Sequence, residues 1–384
     1  MRYRSIGRTG ESASVLGFGC MRFPTVGGKA HKIDEARASR MIRYAIAHGV
    51  NYFDTAYPYH KSNRSPRGWS EPFLGKVLRE YPREDVNIAT KLPSWLVKSR
   101  GDMDKFLEDQ LRRLRTDHID FYLLHGMNTG FWENLTKHHV SDFLDDALSD
   151  GRIRYAGFSF HDDLPLFKKI VDAYDWSFCQ IQYNYMDEEN QAGTKGLKYA
   201  ARKGLGVVVM EPLLGGFLGN KLPKDVRSML GRASPRRTPA ELALRFIWDK
   251  PEVNVVLSGM TTMSQLRENI RIAEDAEARG LGKGEKKLVE RVKKNLQSKS
   301  TVRCTGCKYC MPCPSGVDIP ACFEQLNHGS MYDDMSYAKR AYEWSVKAEN
   351  RASKCTECGK CEDLCPQRLE IRRHLKEVVK ELGS

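Results

Sequence analysis

Eight of the eleven cysteines in this 384-residue chain fall into two runs towards its end. These are Cys304, Cys307, Cys310 and Cys313, followed by Pro314, and Cys355, Cys358, Cys361 and Cys365, followed by Pro366. Thiolates spaced by two residues let one loop reach three corners of a [4Fe–4S] cube, and a remote fourth cysteine beside proline closes a cube. Zinc takes four soft ligands, usually from two paired C-x2-C elements, so a run of four that is then repeated fits zinc poorly. Disulfides are not expected, because the chain is long, starts without a secretory signal and crowds its cysteines locally. The chemistry implied is electron transfer by two iron–sulfur clusters.

Two-cluster ferredoxins cross over their ligands, the last cysteine of each run serving the other cube. On that rule Cys304, Cys307, Cys310 and Cys365 hold one cluster, and Cys355, Cys358, Cys361 and Cys313 hold the other. The first run has two residues rather than three before its last cysteine, so Cys322 stands as the alternative to Cys313. Between the runs, FEQLNHG and SYAKRAYEWSVKAEN read as helices, so this part resembles the α-helical ferredoxin type found in iron–sulfur subunits of succinate dehydrogenase-like enzymes.

The rest of the chain must supply the framework. Removing about 85 residues for the cysteine domain leaves roughly 300, a suitable size for one α/β barrel. Apolar runs at SVLGFGC, NYFDTA, VNIATKL, IDFYLLHG, YAGFSF, FCQIQYNY, GVVVMEP and VNVVLSG alternate with amphipathic stretches such as SEPFLGKVLREY and MDKFLEDQLRRLR. Eight such units predict a (β/α)8 TIM barrel with its site at the carboxyl ends of the strands. Polar residues sit at those ends: Asp54, Lys91, His125, Ser159 and Asn184. Taken singly, Asp54 reads equally as a turn cap, Lys91 as a surface lysine and His125 as a core histidine. Taken together at successive strand ends, they read as a site.

The expected layout is a barrel over 1–280, a charged linker helix over 281–298 and a small, mainly α-helical ferredoxin-like domain over 299–384. No apolar run approaches the ~18 residues of a membrane span, and a cytoplasmic protein is expected. Lys and Arg number 62 against 49 Asp and Glu, an excess of 13. They are scattered along the sequence rather than massed in a tract, which argues against nucleic acid and for a solvated surface or an anionic small molecule.

DTAYPY (54–59), SEPFLGKVL (70–78), ATK (89–91), LLHG (123–126), GRIRYAGFS (151–159) and QIQYN (180–184) together resemble the aldo-keto reductases. With the cysteine runs, the whole chain resembles members that carry a C-terminal ferredoxin domain. The resemblance implies a catalytic tetrad of Asp54, Tyr59, Lys91 and His125, and an enzyme interconverting a small carbonyl compound and an alcohol with NAD(P)(H). Reduction of a carbonyl creates an alkoxide that needs a proton donor, and an ordinary phenol near pKa 10 is a sluggish one. Lys91, held as an ammonium by Asp54, is expected to lower the Tyr59 pKa, while His125 orients or polarises the carbonyl oxygen.

The resemblance also implies cofactor contacts at Ser159 and Gln180, with Phe160 where the family often has Asn and Met210 where it often has a stacking tyrosine. Pro212, Leu213 and Gly215 lie in a glycine-containing loop able to cradle a phosphate, and Gly259, Gln265 and Asn269 fall in the adenine-side motif. No Lys or Arg stands at Gly259, Thr261 or Gln265, so selectivity for a 2′-phosphate is not supported. Cys20 and Met21 follow the first strand, where they either line the pocket or pack beneath it. Arg64, Arg67, Trp69 and Trp132 lie in loops expected to border a substrate.

Nicotinamide moves two electrons as hydride, whereas a cluster moves one. FMN, which handles both, is therefore the alternative cofactor, with a ferredoxin- or flavodoxin-like protein as electron partner. Direct single-electron reduction from a cluster is a further alternative. Outside the enzymes, the alternative is a redox sensor or electron-transfer module that keeps the barrel as a scaffold.

Overall fold

The computed structural model describes residues 1–62, 64–304 and 306–383. The chain divides into two units, Met1–Leu218 with Ala240–Gly282, and Gly219–Pro239 with Lys283–Ser384.

In the first unit a short antiparallel hairpin, β1 (Tyr3–Ser5) and β2 (Ser12–Ser14), precedes eight parallel strands. These are β3 (Leu16–Gly19), β4 (Tyr52–Asp54), β5 (Asn87–Leu92), β6 (Ile119–Met127), β7 (Ile153–Phe160), β8 (Phe178–Gln182), β9 (Gly206–Met210) and β10 (Val255–Ser258). They close in sequence order, β10 pairing with both β9 and β3. All eight coincide with the apolar runs named above. Such runs suit strands covered on both faces, and each is short enough to cross a barrel wall once.

Alternation along a strand decides what enters the barrel. Tyr52, Ala89, Phe121, Leu123, Phe178, Val208, Val255 and Leu257 fill the interior together with Ile6 and Ala13 of the hairpin segment. A Cβ on Gly206, the first residue of β9, would come within 2.3 Å of Ile6, so the hairpin closes the amino-terminal mouth. Two residues further along the strands come Asp54 after Tyr52, Lys91 after Ala89, His125 after Leu123, Gln180 after Phe178 and Met210 after Val208. The parity that fills the core therefore also delivers the site. Opposite-parity residues face the helices: the Phe158 and Phe160 rings pack on Phe167 at 5.8 and 5.1 Å.

The second unit contains helices Lys224–Gly231, Lys283–Ser298, Ile319–Tyr332, Met335–Ser345 and Ile371–Leu382, and no strand among its described residues. Its core gathers Val317, Ile319, Phe323, Leu326, Tyr342, Leu375 and Val378, with five of the run cysteines packed on it half-buried. Two expected boundaries change. Residues 219–239, expected in the barrel, group with this unit, and the helix expected as a linker, Lys283–Ser298, belongs to it as well. That helix buries Leu288, Val289, Val292 and Leu296 and packs on Lys224–Gly231 and Ile319–Tyr332. An apolar stripe at helical spacing has to be covered, and these neighbours cover it. Among the described residues no helix is long and apolar enough to cross a membrane.

Candidate active site and cysteine cavities

At the carboxyl end of the barrel Lys91 Nζ donates to both oxygens of Asp54 at 2.7 Å and to the Thr55 carbonyl at 2.8 Å. Both side chains are almost completely buried. Burial pushes the Asp54 carboxyl up and Lys91 pulls it down. Burial likewise pulls the Lys91 ammonium down, but Asp54 and Tyr59 more than offset this and hold it above an ordinary lysine. We take the pair as ionised, because all three donated hydrogen bonds match a full ammonium.

Lys91 Nζ lies 5.2 Å from the centre of the Tyr59 ring. The enclosing walls raise the Tyr59 pKa, and the charge of Lys91 works against them. The net direction is upward, opposite to the lowering expected from Lys91 alone, because loss of solvent outweighs one nearby cation. Tyr59 therefore stands as a protonated phenol. The His125 ring meets it edge-on at 6.2 Å. Burial, Lys91 and His161 all depress the His125 pKa, so the imidazole is neutral. Its Nδ1 has no hydrogen-bond partner among the described residues.

Elements behind the site hold these groups in place. Gln110 Nε2 donates to the Lys91 carbonyl at 3.0 Å and to Glu71 at 2.7 Å, and Thr90 Oγ1 donates to the same Glu71 oxygen. Glu71, fully buried, is paired with Arg113 at 2.9 Å. Tyr59 is fixed through its backbone: Gly68 N donates to Tyr57 O at 2.8 Å and Ser70 N to Tyr59 O at 3.2 Å. A Cβ on Gly68 would lie 1.8 Å from the Tyr59 carbonyl oxygen, so only glycine permits this approach. At His125 the β6–β7 register is broken between Leu124 and Met127. Ser94 Oγ and Ser159 Oγ accept from the His125 and Gly126 amides at 3.1 and 2.7 Å.

The residues expected to touch a cofactor separate into two groups. Gln180 is buried and its Oε1 has no partner among the described residues, while its Nε2 donates weakly to Met210 Sδ at 3.5 Å. An amide in this state fits a carboxamide. Pro212 and Leu213 lead into a turn in which Gly215 is left-handed, with φ 65°. The Arg22 side chain lies against Gly259 and reaches the space beside Gly215, so a cation spans the loops after β9 and β10.

Other positions are already engaged within the protein. The Ser159 hydroxyl serves Gly126, Gln265 forms a capping box with Thr262, and the buried Asn269 donates to Ser258 Oγ at 2.9 Å. Cys20 is fully buried, with Sγ 3.6 Å from the Phe18 carbonyl, and packs beneath the site. Asn184 accepts from the Met186 and Asp187 amides and shapes the turn after β8.

The loop residues also redistribute. Arg67 is spent on both oxygens of Asp109, and Trp132 is buried near Trp176. The aromatic residues that reach His125 are instead Trp95, 40% exposed and edge-on at 5.2 Å, and behind it Phe131. Sequence reasoning passed over both. The available signal was KLPSWL, directly after the Lys91 strand.

In the second unit Cys304, Cys307, Cys310 and Cys365 line one cavity open to solvent, walled by Ile319, Phe323 and Leu369. The Cys361 thiol is influenced by Cys355 and Cys313. In both runs the amide two residues after the first cysteine donates to its sulfur at 3.4 Å: Gly306 to Cys304 and Glu357 to Cys355. Such bonds stabilise thiolates. Among the described residues no three His, Cys, Asp or Glu side chains close on a single metal ion. Thiols spread around an open apolar cavity fit a cube better than one zinc. Cys322 sits in the helical core beside the Tyr342 hydroxyl, its pKa pushed up to about 11 by burial.

Residues 15–277 match the Aldo/keto reductase family. The chain belongs to that family. Residues 303–369 match the 4Fe-4S dicluster domain. This aldo/keto reductase is 27% identical over 299 residues to L-galactose dehydrogenase of Arabidopsis thaliana, which spans 72% of this chain and 90% of that protein. It is 27% identical over 314 residues to the oxidoreductase YrpG of Bacillus subtilis (strain 168), covering 71% and 91%. The holo form of aldo-keto reductase AKR11C1 from Bacillus halodurans superposes with a TM-score of 0.62 at 26% identity, over 76% of this chain and 96% of that one. The aldo/keto reductase barrel is thus joined to an iron–sulfur domain in one oxidoreductase chain.

Proposed function

We propose that the barrel interconverts a small carbonyl compound and its alcohol, with Tyr59 handling the proton. The second unit would hold two [4Fe–4S] clusters, one on Cys304, Cys307, Cys310 and Cys365 and the other on Cys355, Cys358, Cys361 and Cys313. The observation that carries the first part is a buried ammonium, Lys91, locked to Asp54 and set beneath a protonated Tyr59.

A bound NAD(P)(H) supplies or accepts the hydride in this family. Gln180 is suited to its carboxamide, Met210 to the ring, and the Pro212–Gly215 and Gly259 loops with Arg22 to its phosphates. Neutral His125 donates an N–H to the carbonyl oxygen and fixes its position. As negative charge grows on that oxygen, Tyr59 releases its proton to it, and Lys91 stabilises the phenolate left behind. Trp95 and Phe131 offer an apolar wall beside the carbonyl, which favours a substrate with a flat or apolar flank. Asp54 keeps Lys91 charged and does not touch the substrate.

The test is anaerobic purification, iron and sulfide counting, and a panel of aldehydes and ketones assayed with NADH and NADPH. Tyr59→Phe should lower turnover by about 10³-fold while iron and cofactor binding are unchanged. A Phe variant retaining more than about a tenth of the activity would sink the assignment.

A further inference from the structure

The positive charge, scattered in the sequence, is segregated in space. The barrel unit carries 36 Lys and Arg against 34 Asp and Glu, whereas the cysteine-bearing unit, with fewer than half as many residues, carries 26 against 15. Part of this excess surrounds the cavity of Cys304, Cys307, Cys310 and Cys365. Lys308 lines it, and the exposed Arg303 and Arg368 lie on its two loops. Two nearby carboxylates are paired locally, Glu362 with Arg372 at 2.7 Å and Glu357 with Lys376 at 2.8 Å. On the same two loops, Tyr309 is 67% and Leu364 59% exposed, and Cys307 is exposed to solvent.

We infer that this rim is the docking face for an acidic one-electron carrier protein. The inference rests on the proposed cluster ligation. A thiol at the surface marks where a redox centre comes closest to a partner. Two exposed apolar side chains supply a small contact centre, and the surrounding cations steer a negatively charged face onto it. The barrel unit, nearly neutral, offers no comparable attraction. Each docking event moves one electron from carrier to protein. That electron reduces one cluster by one unit of charge as the carrier is oxidised by one, and two docking events reduce both clusters.

The experiment titrates the iron-loaded full chain, anaerobically, with an oxidised acidic plant-type [2Fe–2S] ferredoxin, reading affinity by calorimetry so that no turnover is involved. Affinity should fall about tenfold or more between about 20 and about 200 mM salt. Lys308→Glu with Arg368→Glu should weaken low-salt binding by at least about tenfold, and Lys105→Glu on the barrel should not change it. Should the double variant lose iron, Arg303→Glu and the salt titration of the unaltered protein give the same readout. No binding at low salt, or binding indifferent to these reversals, overturns the inference. So does a mixed-sequence DNA duplex that binds more tightly and is weakened by the same changes. Iron counts report the cluster reading separately, and aldehyde turnover with NAD(P)H reports the barrel reading separately.

Discussion

The barrel mouth and the cysteine loops organise reactive groups in opposite ways. In the barrel, Asp54, Lys91 and His125 stand on strand ends, and Lys91 already has three acceptors within 2.8 Å. In the second unit the thiols stand on loops, and Lys308, Glu357 and Arg368 adopt left-handed backbone between or beside them. Their packing rests on a small helical core. A strand-end site is held by the core beneath it, whereas a loop site depends on what it binds.

The largest effect that would expose this difference is removal of iron. Anaerobic chelation should collapse hydrogen-exchange protection in the helices of 319–382 and leave the barrel strands protected. Equal loss in both units would erase the distinction. Next, Gly68→Ala forces a methyl group onto the Tyr59 carbonyl and should lower kcat by about 10²-fold, with iron content unchanged. Steady-state kinetics would show whether the strand-end site tolerates a shifted Tyr59.

The pH dependence should differ by direction. Reduction needs the phenol, whose pKa lies above its ordinary value, so this group keeps the rate flat through neutral pH. Oxidation needs the phenolate, which is the minor form below that pKa. Alcohol oxidation should therefore rise about tenfold per pH unit and continue to rise above pH ~10. A plateau near neutrality would contradict the direction assigned to Tyr59. The smallest effect is expected for Cys322→Ser, which should leave iron per chain unchanged and cost about 1–2 kcal/mol in the unfolding of its unit. Loss of one cluster's iron would instead return Cys322 to the ligand set in place of Cys313.

Much of the site was legible because short-range periodicity carries it. Asp54, Lys91, His125 and Gln180 each follow a core residue by two positions, and strand parity is a local property. Motif spacing placed Tyr59, but the direction of its pKa depends on walls contributed by distant segments. The surroundings of Phe160, and of Gln265 and Asn269, which were expected in the adenine-side motif, depend likewise on the fold. Phe160 has the outward parity, and Gln265 and Asn269 find partners inside the fold before any ligand arrives.

What the sequence by itself determined is the barrel, the placement of Asp54, Lys91 and His125 at strand ends and the two cysteine runs, since each is encoded in residues close along the chain. Only the tertiary structure decided that Trp95 rather than Trp132 faces His125, that Cys322 packs against Tyr342, and that residues 219–239 join the cysteine-bearing unit and concentrate charge there. Those outcomes depend on which distant surfaces cover one another, and burial and charge are summed over space rather than along the chain.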